Sequence, residues 1–141
     1  MSVGRLFELS SIKLSNALDD REVHVNIDDL IFICHHDLLS DPGSRGFSLE
    51  TNGQTVEGFI VKNDSAYFAY RNSCPHTGAP LDWVEHQFLD LDESLIQCAV
   101  HDARFLIDSG ECVFGPCPGE RLEKLDIVVL QDGIYLPGDQ L

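Results

Sequence analysis

Two short stretches decide how this chain folds: CPHTGAPL at residues 74–81 and CAVHDARF at residues 98–105. Each contains one cysteine and one histidine, Cys74 with His76 and Cys98 with His101. Each lies where a predicted strand meets a turn, so two loops can bring four metal ligands together. A zinc finger normally pairs like ligands in each stretch, although a Cys2His2 zinc site on these positions stays an alternative. One ligand of each type per loop suits a cluster of two unlike irons.

The sequence around these loops consists of short hydrophobic runs separated by turn residues, which is typical of an all-β domain. Ile31-Phe32-Ile33 reads as an early strand, and residues 40–44 are predicted to be loop. Further strands are predicted at 55–62, 65–71, 95–99, 103–107, 125–131 and 134–136. Turns are predicted at Asn63-Asp64, Asp108-Ser109-Gly110 and Asp132-Gly133.

The first 30 residues differ from the rest and are interpreted as an N-terminal arm, with residues 31–141 forming one domain. The irregular spacing of apolar residues in the arm weakly indicates a short amphipathic helix. The residues concerned are Leu6, Leu9, Ile12, Leu14 and Leu18.

Composition excludes several classes of partner. Among 141 residues, 24 acidic and nine basic ones give a formal charge of −15, which repels nucleic acid and anionic lipid. The sequence has no apolar run of about 18 residues and no signal-peptide pattern, so a cytoplasmic location without membrane contact is predicted. Five cysteines do not suit a secreted disulfide scaffold, which favours metal binding.

The two loops, with Gly110 and the segment GPCP at 115–118, resemble the Rieske [2Fe-2S] family over roughly residues 31–137. The resemblance implies stacked antiparallel sheets with a cluster-binding subdomain and one [2Fe-2S] cluster per chain. It implies that Cys74 and Cys98 hold one iron, while His76 and His101 hold the other iron near solvent, where electrons enter and leave. It also implies that Pro75, Gly78 and Pro80 stiffen the first loop, and that Pro116 and Pro118 lie over the cluster.

Several residues of this sequence differ from the family pattern at positions that influence the reduction potential of the cluster. Ala79 and Val100 stand where high-potential members have a loop-to-loop disulfide, and Ala103 and Phe105 replace their hydroxyl donors. Fewer donors to sulfur favour the oxidised cluster, so a potential near the lower end of the Rieske range, about −150 mV, is predicted. Asp102 replaces the usual glycine after the second histidine, and aspartate tolerates left-handed backbone angles.

The resemblance implies a soluble one-electron carrier rather than an enzyme, with a flavin-dependent reductase as donor and an oxygenase as acceptor. One alternative is a small subunit or sensor within a larger redox complex, as in nitrite reductase systems. A structural zinc domain is a further alternative. A terminal oxygenase is not favoured, because 141 residues leave no room for its catalytic domain.

Other candidate residues are interpreted more simply. The segment Cys34-His35-His36 is predicted to combine core packing with surface residues. Cys112 and Cys117 are close enough in sequence to suggest a redox pair, but without a sign of export they are predicted to be free thiols. His24 and His86 are predicted to face solvent. Residues 82–94 form a long segment between the ligand loops, either anchored by Trp83 and Phe88 or shaping partner choice.

Overall fold

The computed structural model describes residues 9–13, 22–26, 29–51, 53–75, 77–100 and 102–138. These ranges contain twelve strands: β1 (Leu9–Lys13), β2 (Glu22–Asn26), β3 (Leu30–Cys34), β4 (Gly43–Thr51), β5 (Gln54–Asn63), β6 (Ala66–Arg71), β7 (Ile96–Gln97), β8 (Arg104–Phe105), β9 (Cys112–Phe114), β10 (Lys124–Leu125), β11 (Val128–Leu130) and β12 (Gly133–Pro137). A 3-10 helix covers His36–Leu38. Nothing in the described ranges is a helix long and apolar enough to cross a membrane.

The strands form four sheets, and every pairing between them is antiparallel. The central sheet has the order β10-β6-β5-β4, and smaller sheets have the orders β11-β12-β3, β7-β8-β9 and β1-β2. This architecture confirms the predicted all-β class with antiparallel sheets.

Alternating side chains on the central sheet separate two hydrophobic cores. Phe59 and Val61 of β5 belong to the first core, whereas Ile60 between them belongs to the second. On β6, Tyr70 belongs to the first core and Ala69 to the second. Neighbouring residues of a strand point to opposite faces of its sheet, so the central sheet lies between the cores. The second core also contains residues of β3 and β12, and the first core contains the buried residues of both predicted ligand loops.

Two strand predictions need correction. The predicted strand at 125–131 is two strands in different sheets, because Leu125 pairs with β6 while Val128 pairs with β12. Part of the predicted loop at 40–44 is strand, because β4 begins at Gly43 and pairs with β5 along its whole length. The alternation of small or polar residues with Phe47 and Leu49 suits a half-buried strand of this kind.

The hairpin turn between β5 and β6 lies one residue later than predicted. Asn63 pairs with Ala66, and the turn residues are Asp64 and Ser65, with φ of +55° and +68°. The carboxylate of Asp41 accepts both of their backbone N–H groups, at 2.9 and 2.8 Å. This distant acceptor stabilises two consecutive residues in a left-handed conformation that aspartate and serine seldom adopt together.

The described part of the N-terminal arm contains strands, so the predicted helix is wrong there. Strands β1 and β2 pair in register from Leu9 opposite Asn26 to Lys13 opposite Glu22. The β-branched Val23 and Val25 alternate with polar residues, which favours a strand, and two serines weaken a helix at β1. The other apolar positions of the predicted helix, at residues 6, 14 and 18, lie outside the described residues.

Candidate metal centre

The two predicted ligand loops form the same kind of turn. The backbone N–H of Cys74 donates to the carbonyl of Ala79 at 2.8 Å, and the N–H of Cys98 donates to the carbonyl of Ala103 at 2.8 Å. In both loops the accepting alanine follows the cysteine by five residues. The backbone of each predicted thiolate ligand is therefore fixed at the same position in a closed turn.

The residue before each accepting alanine has a left-handed backbone. Gly78 has a φ of +78° and Asp102 has a φ of +57°. Glycine adopts such angles without steric cost, and aspartate is among the few other residues that tolerate them. The prediction made for Asp102 is therefore confirmed, and the second loop keeps the turn of the first without a glycine.

Hydrogen bonds join the two ligand loops to each other. The N–H of Ala99 donates to the carbonyl of Leu81 at 2.9 Å. The N–H of Leu81 in turn donates to the side-chain oxygen of Asn72 at 2.7 Å, and the Asn72 amide donates to Asp82 at 3.0 Å. The loops therefore form one connected unit, which limits their relative motion.

The thiols of this unit are buried together in the first core. Cys74 and Cys98 have 1% and 0% of their surface exposed. His76 and His101 lie outside the described residues, so their assignment as ligands stays a prediction. In the described residues, which exclude these two histidines, no three His, Cys, Asp or Glu side chains are grouped closely enough to hold a metal. Two buried thiols on matched turns fit the thiolate half of the predicted ligand set.

The proline-containing segment after β9 packs against the second ligand loop. Gly115 has a φ of +99°, and a Cβ atom placed there would lie 2.8 Å from the Cα of Ala103. Cys117 is buried in the same core as Cys74 and Cys98. Pro116 and Pro118 are exposed, and their role as a cover for a cluster stays a prediction.

Among the described residues, the thiols share the first hydrophobic core with apolar side chains. Ala103 and Phe105, the two positions predicted to lack hydroxyl donors, are fully buried. Burial raises the pKa of Cys117 to about 12, and its hydrogen bond with the sulfur of Cys112 acts in the same direction. Cys117 is therefore a neutral thiol at physiological pH, beside a predicted thiolate ligand.

Arg104 connects the second ligand loop to the segment 82–94. Its guanidinium lies 3.4 Å from the carboxylate of Asp102 and 3.8 Å from that of Asp90. Gln97 also donates to Asp102, at 2.5 Å, and the Arg104 guanidinium lies 5.4 Å from the centre of the Phe114 ring. Sequence reasoning did not single out Arg104 or Gln97. Their direct pairing on β7 and β8 brings them beside Asp102, and that register was not predicted.

The segment Cys34-His35-His36 has structural contacts. Cys34 is buried in the second core, and burial raises the pKa of its thiol. His36 contacts the carbonyl of Leu130 at 2.6 Å and the hydroxyl of Tyr67 at 3.1 Å. His35 contacts a backbone carbonyl near β12. These contacts support the packing and surface roles predicted for the segment.

The segment 82–94 is attached to β4 by His86, which was predicted to face solvent. Its Nδ1 accepts the N–H of Gly46 at 3.0 Å, and its carbonyl accepts the hydroxyl of Ser44 at 2.8 Å. Phe88 anchors the segment, because it is fully buried and stacks on Phe59 with ring centres 4.2 Å apart. Trp83 was weighed as a second anchor but is 80% exposed.

A scan against protein families matches residues 30–131 to the model described as "Rieske [2Fe-2S] domain". A comparison of the sequence with curated proteins finds no match.

Solved structures share the fold at low sequence identity. The ferredoxin of carbazole 1,9a-dioxygenase from Nocardioides aromaticivorans IC177 has a TM-score of 0.58 and 22% identity, and covers 76% of this chain and 95% of its own. A Sphingomonas yanoikuyae B1 ferredoxin has a TM-score of 0.58 and 18% identity, with coverages of 77% and 97%. A putative nitrite reductase NADPH small subunit has a TM-score of 0.53 and 16% identity, with coverages of 76% and 96%.

Proposed function

This chain belongs to the Rieske [2Fe-2S] domain family, and on that premise we propose that it is a one-electron carrier and not itself an enzyme. A single [2Fe-2S] cluster would be held by Cys74, His76, Cys98 and His101. The observation that carries the proposal is the matched pair of turns, which buries Cys74 and Cys98 in one core on two mutually bonded loops.

The protein's contribution is a rigid, dry environment for the metal site. When bound, the cluster supplies reversible one-electron chemistry at iron. The chain fixes its two thiols through the bonds from Cys74 to Ala79 and from Cys98 to Ala103, and it excludes water from them by burial. Fixed ligands keep the structural rearrangement on electron transfer small. The same burial, with no hydroxyl at Ala103 or Phe105, supports a potential of about −150 mV.

Partner proteins would dock where the two loops reach the surface. Val100, next to the predicted ligand His101, is 44% exposed, and Phe114 on the neighbouring strand is 55% exposed. Exposed apolar side chains of this kind are suited to brief contact with another protein. The net charge of −15 favours donors and acceptors with basic docking faces. A flavin-dependent reductase as donor and an oxygenase as acceptor are the proposed partners, and the likeness to the ferredoxin of carbazole 1,9a-dioxygenase supports the oxygenase.

A small subunit or sensor of a larger redox complex is the second candidate function. Trp83 and Leu91 favour it, because they are 80% and 101% exposed on the segment 82–94. A permanent interface commonly covers large apolar side chains of this kind. Stable co-purification with a large subunit, lost in the variant Trp83→Ser, would favour this function over a free carrier.

Electron transfer by the purified protein tests the proposal. Catalytic amounts of a flavin-dependent reductase with NADPH should reduce cytochrome c faster when this protein is present. The rate should fall as salt is added, because salt screens long-range steering of a strongly acidic protein. The variants Cys74→Ser and His101→Ala should abolish the acceleration.

The matched control is Cys34→Ser, which changes a buried cysteine in the other core. It should retain the acceleration in full. Equal activity of Cys74→Ser and the wild type, or no acceleration by iron-loaded wild-type protein, would contradict the proposal.

A further inference from the structure

Two cysteines outside the predicted ligand set face each other beside the metal centre. The Sγ atoms of Cys112 and Cys117 are 2.7 Å apart, with the thiol of Cys117 donating to the sulfur of Cys112. Their exposed fractions are 3% and 1%, so both thiols point inward. The distance is closer than non-bonded sulfur atoms normally approach, and a disulfide bond of about 2.05 Å would need only a small further movement.

The backbone holds the two cysteines in this arrangement. Cys112 is paired with Phe105 on β8, and its N–H donates to the carbonyl of Glu120 at 2.9 Å. The N–H of Glu120 donates back to the carbonyl of Cys117 at 3.1 Å. The six-residue segment 112–117 is therefore closed at its ends by hydrogen bonds, which lowers the entropy that a covalent closure would cost.

We propose that Cys112 and Cys117 form a reversible two-electron dithiol–disulfide pair on the segment that packs against the second ligand loop. The pair differs from the loop-to-loop disulfide of high-potential Rieske proteins, since Ala79 and Val100 occupy those positions. The inference goes beyond electron transfer by the cluster and does not depend on it. The structure confirms the prediction that both residues are free thiols, and the proposal adds that the two can be oxidised together.

The oxidant is a low-molecular-weight disulfide. One protein thiolate attacks the oxidant and releases one small thiol, leaving a mixed disulfide on the protein. The second protein thiol then loses its proton and attacks the mixed disulfide, which forms the Cys112–Cys117 bond and releases a second small thiol. Two electrons pass from the protein to the oxidant, and both protons leave with the two small thiols.

Access to the buried sulfurs is through the exposed part of the same segment. Val113, Phe114, Gly115 and Pro116 are all exposed. Opening of this short segment would expose both thiols while the ligand loops keep their own hydrogen bonds. Formation of the disulfide would then hold the segment closed against Ala103.

Equilibration in anaerobic glutathione buffers of graded oxidation tests the proposal. The purified protein, as isolated with its metal, is quenched in acid, alkylated under denaturing conditions and digested with trypsin. Residues 105–121 form one peptide that contains Cys112 and Cys117 and no other cysteine, whereas Cys74 and Cys98 share a different peptide. In oxidising buffer the peptide 105–121 should lose two hydrogens and take up no alkyl group, and dithiothreitol should reverse the change.

Two variants distinguish the oxidation of this pair from general oxidation of cysteine thiols. Cys117→Ser should leave Cys112 as a stable glutathione adduct, because no second thiol is present to displace it. Cys34→Ser changes another buried thiol and should leave the oxidation of peptide 105–121 unchanged. Retention of two alkylatable thiols in wild-type peptide 105–121 in every buffer, or glutathione adducts without the internal disulfide, would overturn the proposal. The analysis of wild-type peptide 105–121 tests the proposal even if a variant does not fold.

Discussion

The substitution Asp102→Ala should destabilise the protein through the backbone of the second ligand loop. Asp102 has a φ of +57°, where a residue with a Cβ atom costs roughly 1–2 kcal/mol and aspartate is partly excepted. Alanine also loses the side-chain acceptor that Gln97 and Arg104 share. The Asp102 side chain is 51% exposed, so each of these contacts adds only about 0.5 kcal/mol or less. The expected loss is about 1.5 kcal/mol, or about 5 °C in Tm for a domain of this size.

Urea unfolding followed by circular dichroism measures this loss, and two further variants isolate its cause. Asp102→Gly should be within about 0.5 kcal/mol of the wild type, because relief of the left-handed strain offsets the lost contacts. Gly78→Ala should cost about 1 kcal/mol, because Gly78 is left-handed and a Cβ atom there would meet nothing within 4 Å. Equal stability of Asp102→Ala and Asp102→Gly would refute the assignment of the cost to backbone conformation.

Three further substitutions test other parts of the structure. Tyr70→Phe should cost about 1–3 kcal/mol in urea unfolding, because the buried hydroxyl donates to the carbonyl of Ile107 at 2.6 Å. Burial also raises the pKa of Tyr70, so wild-type stability should hold below about pH 10 and decline above it, with less decline in Tyr70→Phe. Ala103→Ser should raise the reduction potential by about 40 mV in a dye-linked titration, because one added hydrogen-bond donor worth about 1 kcal/mol favours the reduced form. An unchanged potential would show that the hydroxyl does not reach sulfur. Phe88→Ala should lower the free energy of unfolding by about 3–5 kcal/mol, because this fully buried ring stacks on Phe59. A loss below about 1 kcal/mol would contradict the role of Phe88 as the anchor of segment 82–94.

The parts of the fold that depend on local pattern could be predicted from the sequence. The short hydrophobic run within residues 55–62 correctly indicated strand β5, and its consecutive apolar residues are buried because neighbouring side chains enter different cores. The turn after it was placed one residue early, because the acceptor that stabilises Asp64 and Ser65 is Asp41, more than 20 residues away in the sequence. Local propensity contains no information on such a contact.

The sheet to which a strand belongs was harder to predict than the presence of the strand itself. The run 125–131 is apolar except for Asp126 and Gln131 and was predicted as one strand, yet Leu125 pairs with β6 and Val128 pairs with β12. Nothing in the run itself indicates that it changes partner near Asp126. In the arm, the spacing of Leu9 and Ile12 suggested a helix, whereas the structure has a strand there, because residues 9–13 pair with the strand that contains Val23 and Val25.

For the candidate site, the sequence spacing predicted the ligand types, and the structure adds how two of the predicted ligands, Cys74 and Cys98, are held. The tolerance of Asp102 for a left-handed backbone was predictable from its residue type. The equivalence of the two turns was not, since it depends on bonds from Cys74 to Ala79 and from Cys98 to Ala103. The spacing of Cys112 and Cys117 suggested a redox pair, whereas the approach of their sulfur atoms depends on how β9 and the following turn close through Glu120.

Electron paramagnetic resonance of the dithionite-reduced protein, with iron, sulfide and zinc analysis of the same sample, tests the central claim most directly. We expect a rhombic signal with a lower average g value than that of an all-cysteine ferredoxin, and about two irons and two sulfides per chain. The signal should disappear in Cys74→Ser and persist in Cys34→Ser. One zinc per chain with no sulfide and no signal would contradict the claim and identify Cys74, His76, Cys98 and His101 as a structural zinc site instead.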